Sequence, residues 1–505
     1  MYSMVKSGTL YGIDAFEVTV ESDVAFGLPS LNIVGLPDAA VRESRERVRT
    51  AIRNSGLAFP DKRVTVNLSP ADIRKAGTQF DLAIAVAILI SSGKCRGRSE
   101  DLAFLGELAL DGSLKPVKGI LPLLIGLMES GMRRVVIPAG NAGSASVVSG
   151  LEIFAGDDLR QVIAFIEGEG ELERVSFAPD TDEADIEGPD FSEVIGQENA
   201  KRALQAAAAG MHNILMTGPP GAGKTMLARC VPSIMPGMTY EEKLEVTKIY
   251  SVYGDLRDQP LIKRRPFRAP DHTVSPAGLV GGGRRIRAGE VTMAHLGILF
   301  LDELPEFSRS AIEALRKPME DKTCSISRVS EKLILPSRFL TVAAMNPCPC
   351  GFYGDPSREC ICPPGDIVRY RSKMSGPFLD RIDMNINLTV PGIDQIRRGA
   401  RGASSSELRE GVSRAHEIQR DRFRKEGISC NSEMGPGQVR KYCRTDRETE
   451  NLLDAAFEKY SLSLRSYDRI LRVSRTLADL EGSDMIRLEH AAEAISYKCG
   501  NDIFR

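Results

Sequence analysis

One short stretch, Asn213–Thr225, constrains the fold of this chain more than any other. An apolar run of strand length, Ile214–Met216, leads into a loop that satisfies G-x-x-x-x-G-K-[ST] at every fixed position. The loop residues are Gly218, Pro219, Pro220, Gly221, Ala222, Gly223, Lys224 and Thr225. Glycines in such a loop let backbone N–H groups face phosphate oxygens, while the lysine adds a positive charge and the hydroxyl is a ligand for Mg²⁺. The stretch predicts an α/β fold that binds a nucleoside triphosphate, which we take to be ATP with Mg²⁺.

Two further apolar runs end in polar residues that suit ATP hydrolysis. Ile298–Leu301 is followed by Asp302 and Glu303, and Leu340–Met345 is followed by Asn346. Ligands of open α/β sheets bind at the carboxyl ends of the strands, where these side chains would meet. We expect Asp302 to position Mg²⁺, Glu303 to orient and deprotonate the attacking water, and Asn346 to hold that water near the γ-phosphate. For Asn346, an ordinary turn after a strand is the alternative.

Length, charge and cysteine content bound the class of protein. At 505 residues the chain is long enough for about three domains. Its formal charge of −2 argues against a generally basic protein, although a local basic surface is compatible with it. The N-terminus lacks the layout of a signal peptide, and the apolar run Leu82–Ile90 is too short to span a membrane. Because the ten cysteines come without a secretory signal, we expect reduced thiols in a cytoplasmic protein with no membrane partner.

Four segments resemble one family. VGLPDAAVRESRERVRTAI, VNLSPADIRKAGTQFDLAIA and LGELALDGSLKPVKGILP are similar to the N-terminal domain of the magnesium-chelatase-like ComM/YifB family. YDRILRVSRTLADLEGSDMIRLEHAAEAISY resembles the helical lid of magnesium-chelatase-type ATPases. The resemblance implies an α+β domain like ribosomal protein S5 and Lon protease, then a P-loop AAA+ core and a C-terminal helical lid. We therefore expect an S5/Lon-like domain at residues 1–165, an acidic linker at 166–190, the AAA+ core at 191–395 and the lid domain at 396–505.

The N-terminal domain departs from the Lon pattern where peptide hydrolysis needs it most. Lon-type proteases use a serine nucleophile and a lysine base, and these align near Phe80 and Leu121. Neither side chain can act as a nucleophile or a base. We expect a protease fold reused as a structural or binding module, and ATP-dependent peptide hydrolysis is the least favoured function.

The resemblance also implies roles for side chains outside the phosphate loop. In ATPases of this type an Ile-Gly-Gln turn lies against adenine, which implies Ile195 and Gln197. The segment FLDRID resembles the arginine-finger segment of the AAA+ branch that contains magnesium chelatases and MCM helicases, so Arg381 would reach the γ-phosphate of a neighbouring subunit. Arg465 resembles the residue called sensor 2, which contacts nucleotide in cis or in trans. The alternatives are an ion pair of Arg381 with a flanking aspartate, and a later arginine in place of Arg465.

Two insertions carry candidate DNA-binding residues. The segment 322–336 alternates polar and apolar residues, as a hairpin would, and the segment 264–291 is rich in arginine around three consecutive glycines. In this branch such segments line the central pore of a ring, where cations would meet phosphates. The candidate residues are Arg284, Arg285, Arg287, Arg328 and Lys332. An exposed basic loop paired with acids is the alternative. His272, which follows Pro-Asp where the family usually has Pro-His, is expected to be a packing or surface residue.

Four of the ten cysteines lie close together in the sequence, as Cys348-Pro-Cys350 and Cys360-Ile-Cys362. Four thiolates could close tetrahedrally on a structural Zn²⁺, and the loop between the pairs is long enough to bring them together. Two reduced pairs in a mobile loop are the alternative, because C-x-C is a less usual zinc pairing than C-x-x-C.

These residues predict an Mg-ATP hydrolase with an arginine that acts between subunits, and hence a homo-oligomeric ring, which we expect to be hexameric. The resemblance implies a DNA motor, a helicase or branch-migration enzyme of recombination or natural transformation, acting on branched or single-stranded DNA. A chelatase-like motor that remodels a protein partner is the main alternative. Against it, true chelatase motor subunits lack the N-terminal domain, and this chain has no Asp-x-Ser-x-Ser metal site of the chelatase partner subunit.

Overall fold

The chain of the computed structural model divides into two units, each made of two separate segments of sequence. The first unit comprises residues 1–183 and 240–263, and the second comprises residues 184–239 and 264–505. Within these, the structure describes residues 1–97, 99–178, 188–254, 256, 259–283, 287–327, 332–355, 358–390, 392 and 402–500.

The first unit is built on an eight-stranded mixed sheet and a small β6–β7 ribbon. The strands are β1 (Tyr2–Tyr11), β2 (Asp14–Ala25), β3 (Ser30–Val34), β4 (Arg63–Ser69), β5 (Leu102–Phe104), β6 (Glu107–Leu108), β7 (Leu114–Lys115), β8 (Arg134–Pro138), β9 (Glu152–Gly156) and β10 (Glu173–Arg174). Their order across the sheet is β10-β9-β8-β5-β1-β2-β4-β3. β2 is antiparallel to β1 and β4, β10 is antiparallel to β9, and the other neighbours run parallel. The short strand β10 lies within the range predicted to be an acidic linker.

Helices pack on both faces of this sheet. They are Ala39–Asn54, Asp81–Ser91, Ile120–Glu129, Ala142–Ala145, Leu159–Glu167 and Tyr240–Tyr253. Val136 belongs to the core formed with Asp81–Ser91, whereas its chain neighbours Val135 and Ile137 belong to the core formed with Ile120–Glu129. Successive residues of a strand point to opposite faces, so the sheet is buried on both sides.

One helix of the first unit comes from a distant part of the sequence. Tyr240–Tyr253 follows the helix after the phosphate loop, inside the range predicted as ATPase core. Its Ser251 carbonyl accepts a hydrogen bond of 3.1 Å from the backbone N–H of Gly119. Leu261, a few residues beyond, is buried in the same apolar cluster as Leu123. Residues 240–263 are therefore part of the N-terminal unit, which the predicted boundaries did not anticipate.

The second unit is built on a five-stranded, entirely parallel sheet and a separate hairpin. Its strands are β11 (Ile214–Thr217), β12 (Phe267–Arg268), β13 (Ile298–Leu301), β14 (Thr323–Ser327), β15 (Lys332–Pro336), β16 (Leu340–Met345) and β17 (Met384–Asn387). The sheet order is β12-β13-β16-β11-β17. β11, β13 and β16 are buried along their whole length, as strands of a parallel sheet covered on both faces must be. The phosphate loop and both predicted catalytic segments therefore leave the sheet at the same edge.

The hairpin β14–β15 confirms the hairpin predicted between residues 322 and 336. Its turn, with Arg328, lies outside the described residues. The helices of the second unit are Glu198–Gly210, Lys224–Ile234, Pro276–Val280, Glu290–Met293, Arg309–Asp321, Pro364–Ser372, Gly376–Leu379, Ser405–Phe423, Pro436–Tyr442, Arg447–Tyr460, Leu464–Leu480 and Leu488–Cys499. Beyond residue 402, four long helices (Ser405–Phe423, Arg447–Tyr460, Leu464–Leu480 and Leu488–Cys499) and the short one Pro436–Tyr442 form the described part of the predicted lid domain. Among the described residues, no helix is both long and apolar enough to cross a membrane.

Candidate active site

The phosphate loop connects β11 to the helix Lys224–Ile234. Gly221 and Gly223 have φ of 80° and 86°, the left-handed conformation that glycine adopts without strain. At Gly218, an added Cβ would lie 2.8 Å from the carbonyl oxygen of Leu388, so there is no room for a side chain. These glycines allow the backbone to turn sharply into the helix, whose first N–H groups can bind an anion.

Lys224 connects the phosphate loop to the end of β16. Its Nζ donates to the carbonyl oxygens of Gly218 at 2.7 Å and Pro219 at 2.9 Å, and to Oδ1 of Asn346 at 3.0 Å. Burial lowers the pKa of Lys224, and the nearby charges of Asp302 and Glu303 oppose that effect. The ammonium group and the Asn346 amide therefore face the same space.

Thr225 and Asp302 form a pair suited to a divalent cation. The Thr225 hydroxyl donates to Oδ2 of Asp302 at 2.7 Å, and both side chains are accessible from solvent. A hydroxyl and a carboxylate beside a phosphate loop are the oxygen ligands that Mg²⁺ takes in P-loop proteins. The donor set fits an Mg²⁺ site.

Glu303 follows Asp302 after the end of β13 and lines a cavity. It has φ of 49°, an uncommon conformation for a non-glycine residue, and its N–H donates to Oδ1 of Asp302 at 2.9 Å. Its exposed carboxylate borders a cavity of about 530 Å³ that Asn346 and Tyr370 also line. This turn carries the carboxylate and the Asn346 amide to one space, where a water between them could attack a phosphate.

His272 is a neighbour of Glu303 that the sequence did not reveal. Its Nδ1 lies 3.9 Å from Oε2 of Glu303, and its ring is 40% exposed. His272 therefore lies at the surface, which the expectation of a packing or surface residue allows, and it is also placed beside the predicted catalytic carboxylate. The two residues lie in different segments of sequence, so spacing alone gave no signal.

The residues expected near adenine lie at the entry to the second unit. Gln197 has φ of 61°, and its Nε2 donates to the carbonyl of Ala222 at 3.3 Å and to that of Thr389 at 2.5 Å. Ile195 is half-buried two residues earlier. Gln197 thus links this turn to the phosphate loop.

Arg381 pairs with an acid other than the flanking aspartates. Its side chain is 11% exposed, and its guanidinium pairs with the carboxylate of Glu320. Nε donates to the carbonyl of Arg316 at 3.0 Å, and Nη1 donates to that of Pro377 at 2.6 Å. Arg381 is held against the helix Arg309–Asp321.

Arg381 and Arg465 line one cavity of about 670 Å³. Arg465 is 57% exposed, and its Nη2 lies 3.6 Å from Oε1 of Glu320. Arg469 and Arg472, which follow on the same helix, also line this cavity. Arg469 is already paired with Asp383 at 3.1 Å. None of the described residues that line this cavity belongs to the phosphate loop. Within one protomer, the two arginines therefore face a different space from Lys224.

The candidate DNA-binding residues are only partly described. Arg287 and Lys332 are exposed, whereas Arg284, Arg285 and Arg328 lie outside the described residues. In the same insertion, Arg268 forms a bidentate ion pair with Glu290 at 2.6 and 2.9 Å. At Arg268, the alternative of a basic residue paired with an acid is thus the observed one.

The four clustered cysteines come together in space. Their Sγ atoms all lie within 4.8 Å of one another. All ten cysteines are free thiols, and Cys348 is buried while Cys350, Cys360 and Cys362 are half-buried. The N–H of Phe352 points at Cys350 and lowers the pKa of its thiol.

Phe80 and Leu121, the positions aligned with a protease dyad, are both fully buried among apolar side chains of the first unit. Neither can supply a nucleophile or a base.

The fold and the site define a P-loop protein of the magnesium-chelatase type. The family described as "Magnesium chelatase, subunit ChlI" matches residues 190–395. "Subunit ChlI of Mg-chelatase" matches residues 20–141, and "Magnesium chelatase, subunit ChlI C-terminal" matches residues 402–498.

Full-length relatives narrow this class to one family. The chain is 40% identical to the uncharacterized protein YifB of Salmonella typhimurium over 502 residues, which cover 98% of this chain and 97% of that protein. It is equally identical, over the same shares, to the competence protein ComM of Haemophilus influenzae. The chain belongs to the YifB/ComM family of magnesium-chelatase-like AAA+ proteins. Shorter matches reach Lon protease 2 of Bacillus subtilis, 28% identical over 26% of this chain and 25% of that protein, and the DNA repair protein RadA of H. influenzae, 30% identical over 23% of this chain and 24% of that protein.

Proposed function

We propose that the chain is an Mg-ATP hydrolase that assembles into a ring, and that hydrolysis drives a motor on DNA. The observation that carries this proposal is the division of the site. Lys224 and Asn346 face one space, whereas Arg381 and Arg465 face another. A second copy of the chain is needed to bring Arg381 or Arg465 to the triphosphate.

The residues at the edge of the sheet would carry the chemistry of hydrolysis. Lys224 binds the β- and γ-phosphates, and Asn346 holds the attacking water. Glu303 takes a proton from that water as it attacks the γ-phosphorus and ADP leaves. Thr225 and Asp302 would hold Mg²⁺, which supplies neutralisation of phosphate charge when bound.

In the ring, Arg381 stabilises the charge that develops on the γ-phosphate of the adjoining protomer. Arg465 lines the same cavity as Arg381, so we assign it to the same neighbouring nucleotide, in trans. We propose six protomers per ring.

The predicted domains acquire roles in this scheme. We propose that residues 1–165 form the S5/Lon-like domain, residues 166–190 the linker, residues 191–395 the AAA+ core and residues 396–505 a helical lid over the nucleotide. Residues 240–263 are the exception, because they fold with the first unit. The buried Phe80 and Leu121 argue against peptide hydrolysis.

DNA is the proposed track of the motor. Exposed cations at Arg287 and Lys332 suit contact with phosphates, and ring symmetry would repeat them around a pore. This choice agrees with the names of two relatives, a competence protein that matches 98% of the chain and a DNA repair protein that matches 23% of it. We expect the protein to act in the cytoplasm, where clustered thiols stay reduced.

The test is ATP turnover by the wild-type protein with and without four-way-junction DNA, together with unwinding of forked DNA. We expect DNA to stimulate turnover and ATP to drive unwinding. If turnover is the same with and without DNA and neither substrate is unwound, the proposed DNA motor is refuted, whereas the proposed ATPase activity is not.

A mixing experiment tests the shared site. Arg381→Ala and Glu303→Gln proteins are each expected to be inactive. Mixed rings should recover turnover, since some interfaces then combine an intact arginine with an intact carboxylate. Mixtures as inactive as their components would contradict catalysis in trans.

A chelatase-like motor acting on a protein partner is the second candidate. All three family descriptions name a magnesium chelatase subunit. Two of them match most of the second unit, and the third matches residues 20–141 of the first unit. ATP turnover that is indifferent to DNA but stimulated by a co-purifying protein would favour it.

A further inference from the structure

The loop that carries the four clustered cysteines, residues 348–362, begins two residues after Asn346. We call it the cysteine loop. The cysteine loop is therefore next to a residue of the proposed ATP site, and a metal ion bound by its thiols would affect the shape of that site.

The sulfur atoms already have the spacing of a tetrahedral metal site. A zinc ion with four bonds of about 2.3 Å to thiolates sets the sulfurs about 3.8 Å apart. The Sγ atom of Cys348 lies 3.4 Å from that of Cys350 and 3.6 Å from that of Cys360, and the Sγ atoms of Cys350 and Cys360 are also 3.6 Å apart. The sulfurs are too close together to bind different irons of a four-iron cluster. They are also too far apart for disulfides, whose bonds are about 2.0 Å long.

Backbone donors surround the sulfurs. The N–H of Cys350 donates to Sγ of Cys362 at 3.3 Å, and the N–H groups of Phe352 and Ile361 point at Sγ of Cys350. Such donors stabilise thiolates and orient them toward a metal. The other six cysteines are each buried separately, and among the described residues none of them joins a group that could hold a metal.

The cysteine loop also lies directly against the phosphate loop. A Cβ added at Gly351 would lie 2.5 Å from Cδ of Pro220, so the two loops touch at this point. On the other side, the carbonyl of Pro347 accepts bonds of 3.3 Å from Nε and Nη2 of Arg371. Residues 347–351 therefore contact Pro220 of the phosphate loop and follow directly after Asn346.

We propose that Cys348, Cys350, Cys360 and Cys362 bind one Zn²⁺ in a structural role, and that the metal holds the cysteine loop against the phosphate loop. The second half of this proposal rests on the proposed ATP site. All four tetrahedral positions are filled by thiolates, which leaves no open position for catalysis. The metal therefore acts through the shape of the nucleotide pocket.

The first experiment measures the metal itself. Full-length protein, purified under reducing conditions with Zn²⁺ supplied, is analysed by elemental mass spectrometry. We expect about one zinc per chain in wild type and in the control Cys95→Ser, and little in Cys360→Ser/Cys362→Ser, because two ligands cannot close the site. Wild-type protein without zinc, iron in its place, or zinc retained by the double variant would each overturn the site. If the double variant does not fold, Co²⁺ added to wild-type protein gives the same answer, since tetrahedral thiolate coordination has intense visible absorption bands and other sites do not.

The second experiment measures nucleotide affinity with a fluorescent ADP analogue. Stripping the metal with a chelator should weaken binding by about tenfold, equal to about 1.4 kcal/mol, and Zn²⁺ should restore it. Unchanged affinity in the metal-free protein refutes the contact between loops as the metal's role. Zinc at one per chain without any ATP turnover would instead defeat the proposed function and leave the metal site standing.

Discussion

Glu320 holds both arginines that we assign to the neighbouring nucleotide, and its removal should make hydrolysis faster. Its carboxylate pairs with Arg381 and lies 3.6 Å from Arg465. Arg381 must leave this carboxylate before its guanidinium can reach a phosphate on another protomer. The ion pair therefore opposes catalysis, and Glu320→Gln should reduce that opposition.

The size of the effect follows from the exposure of the pair. Glu320 is 49% exposed, and ion pairs at such positions contribute about 0–1 kcal/mol. If the ion pair must break before the transition state is reached, removing the pair lowers the barrier by that energy. Turnover then rises by up to about fivefold. Loss of Arg381 itself should change turnover far more, since inter-subunit arginines contribute about 10³–10⁵ in rate.

The assay is steady-state ATP turnover of Glu320→Gln, Arg381→Ala and the control Glu410→Gln. Glu410 is an exposed acid on the helix Ser405–Phe423, and it pairs at 3.4 Å with Arg414 of the same helix. We expect a modest rise for Glu320→Gln, no change for Glu410→Gln, and a loss of about a thousandfold or more for Arg381→Ala. A tenfold fall for Glu320→Gln, at unchanged thermal stability, would refute the reasoning, because the carboxylate would then be helping catalysis.

Three further changes give distinct readouts. Glu303→Gln should keep ATP binding and lose about 10²–10⁴ in turnover, and turnover within tenfold of wild type would exclude it as the base. Burial lowers the pKa of His212 to about 4, below the value of 6.5 that it has when unfolded, so the unfolded chain binds the extra proton. Stability from this group is complete above pH 6.5 and falls by up to roughly 3 kcal/mol as the pH drops to 4. His212→Gln should flatten that dependence in thermal unfolding, and an equal slope would contradict it. Gly351→Ala, with φ of 87° and Pro220 in contact, should weaken nucleotide binding more than Gly354→Ala, where φ is 78° and a Cβ meets nothing within 4 Å; equal losses would point to backbone strain alone.

Contiguous patterns in the sequence predicted most of the proposed ATP site. The phosphate loop is read from eight consecutive residues, and Asp302 and Asn346 each end an apolar run of strand length. Parallel strands deliver their carboxyl ends to one edge, so the contacts of Lys224 with Asn346 and of Thr225 with Asp302 follow from that geometry.

Contacts between distant segments were not predictable in the same way. Glu320 lies at the end of the helix that follows Glu303 and reaches Arg381 only through tertiary packing. The alternative drawn from the sequence, an ion pair of Arg381 with a flanking aspartate, is therefore wrong in its partner. His272 lies beside Glu303 because an irregular segment brings it there. The affiliation of Tyr240–Tyr253 depends on packing against the helix Ile120–Glu129 of the first unit, and its sequence carries no mark of which unit it will join.

That affiliation limits how the chain can be shortened. Cutting at the acidic segment after residue 178 would leave residues 240–263 attached to the ATPase, with the apolar side chains of Leu244 and Leu261 removed from the N-terminal cluster that covers them. A fragment prepared this way should aggregate even if its ATP pocket is intact. An informative truncation would also replace residues 240–263 by a short polar bridge.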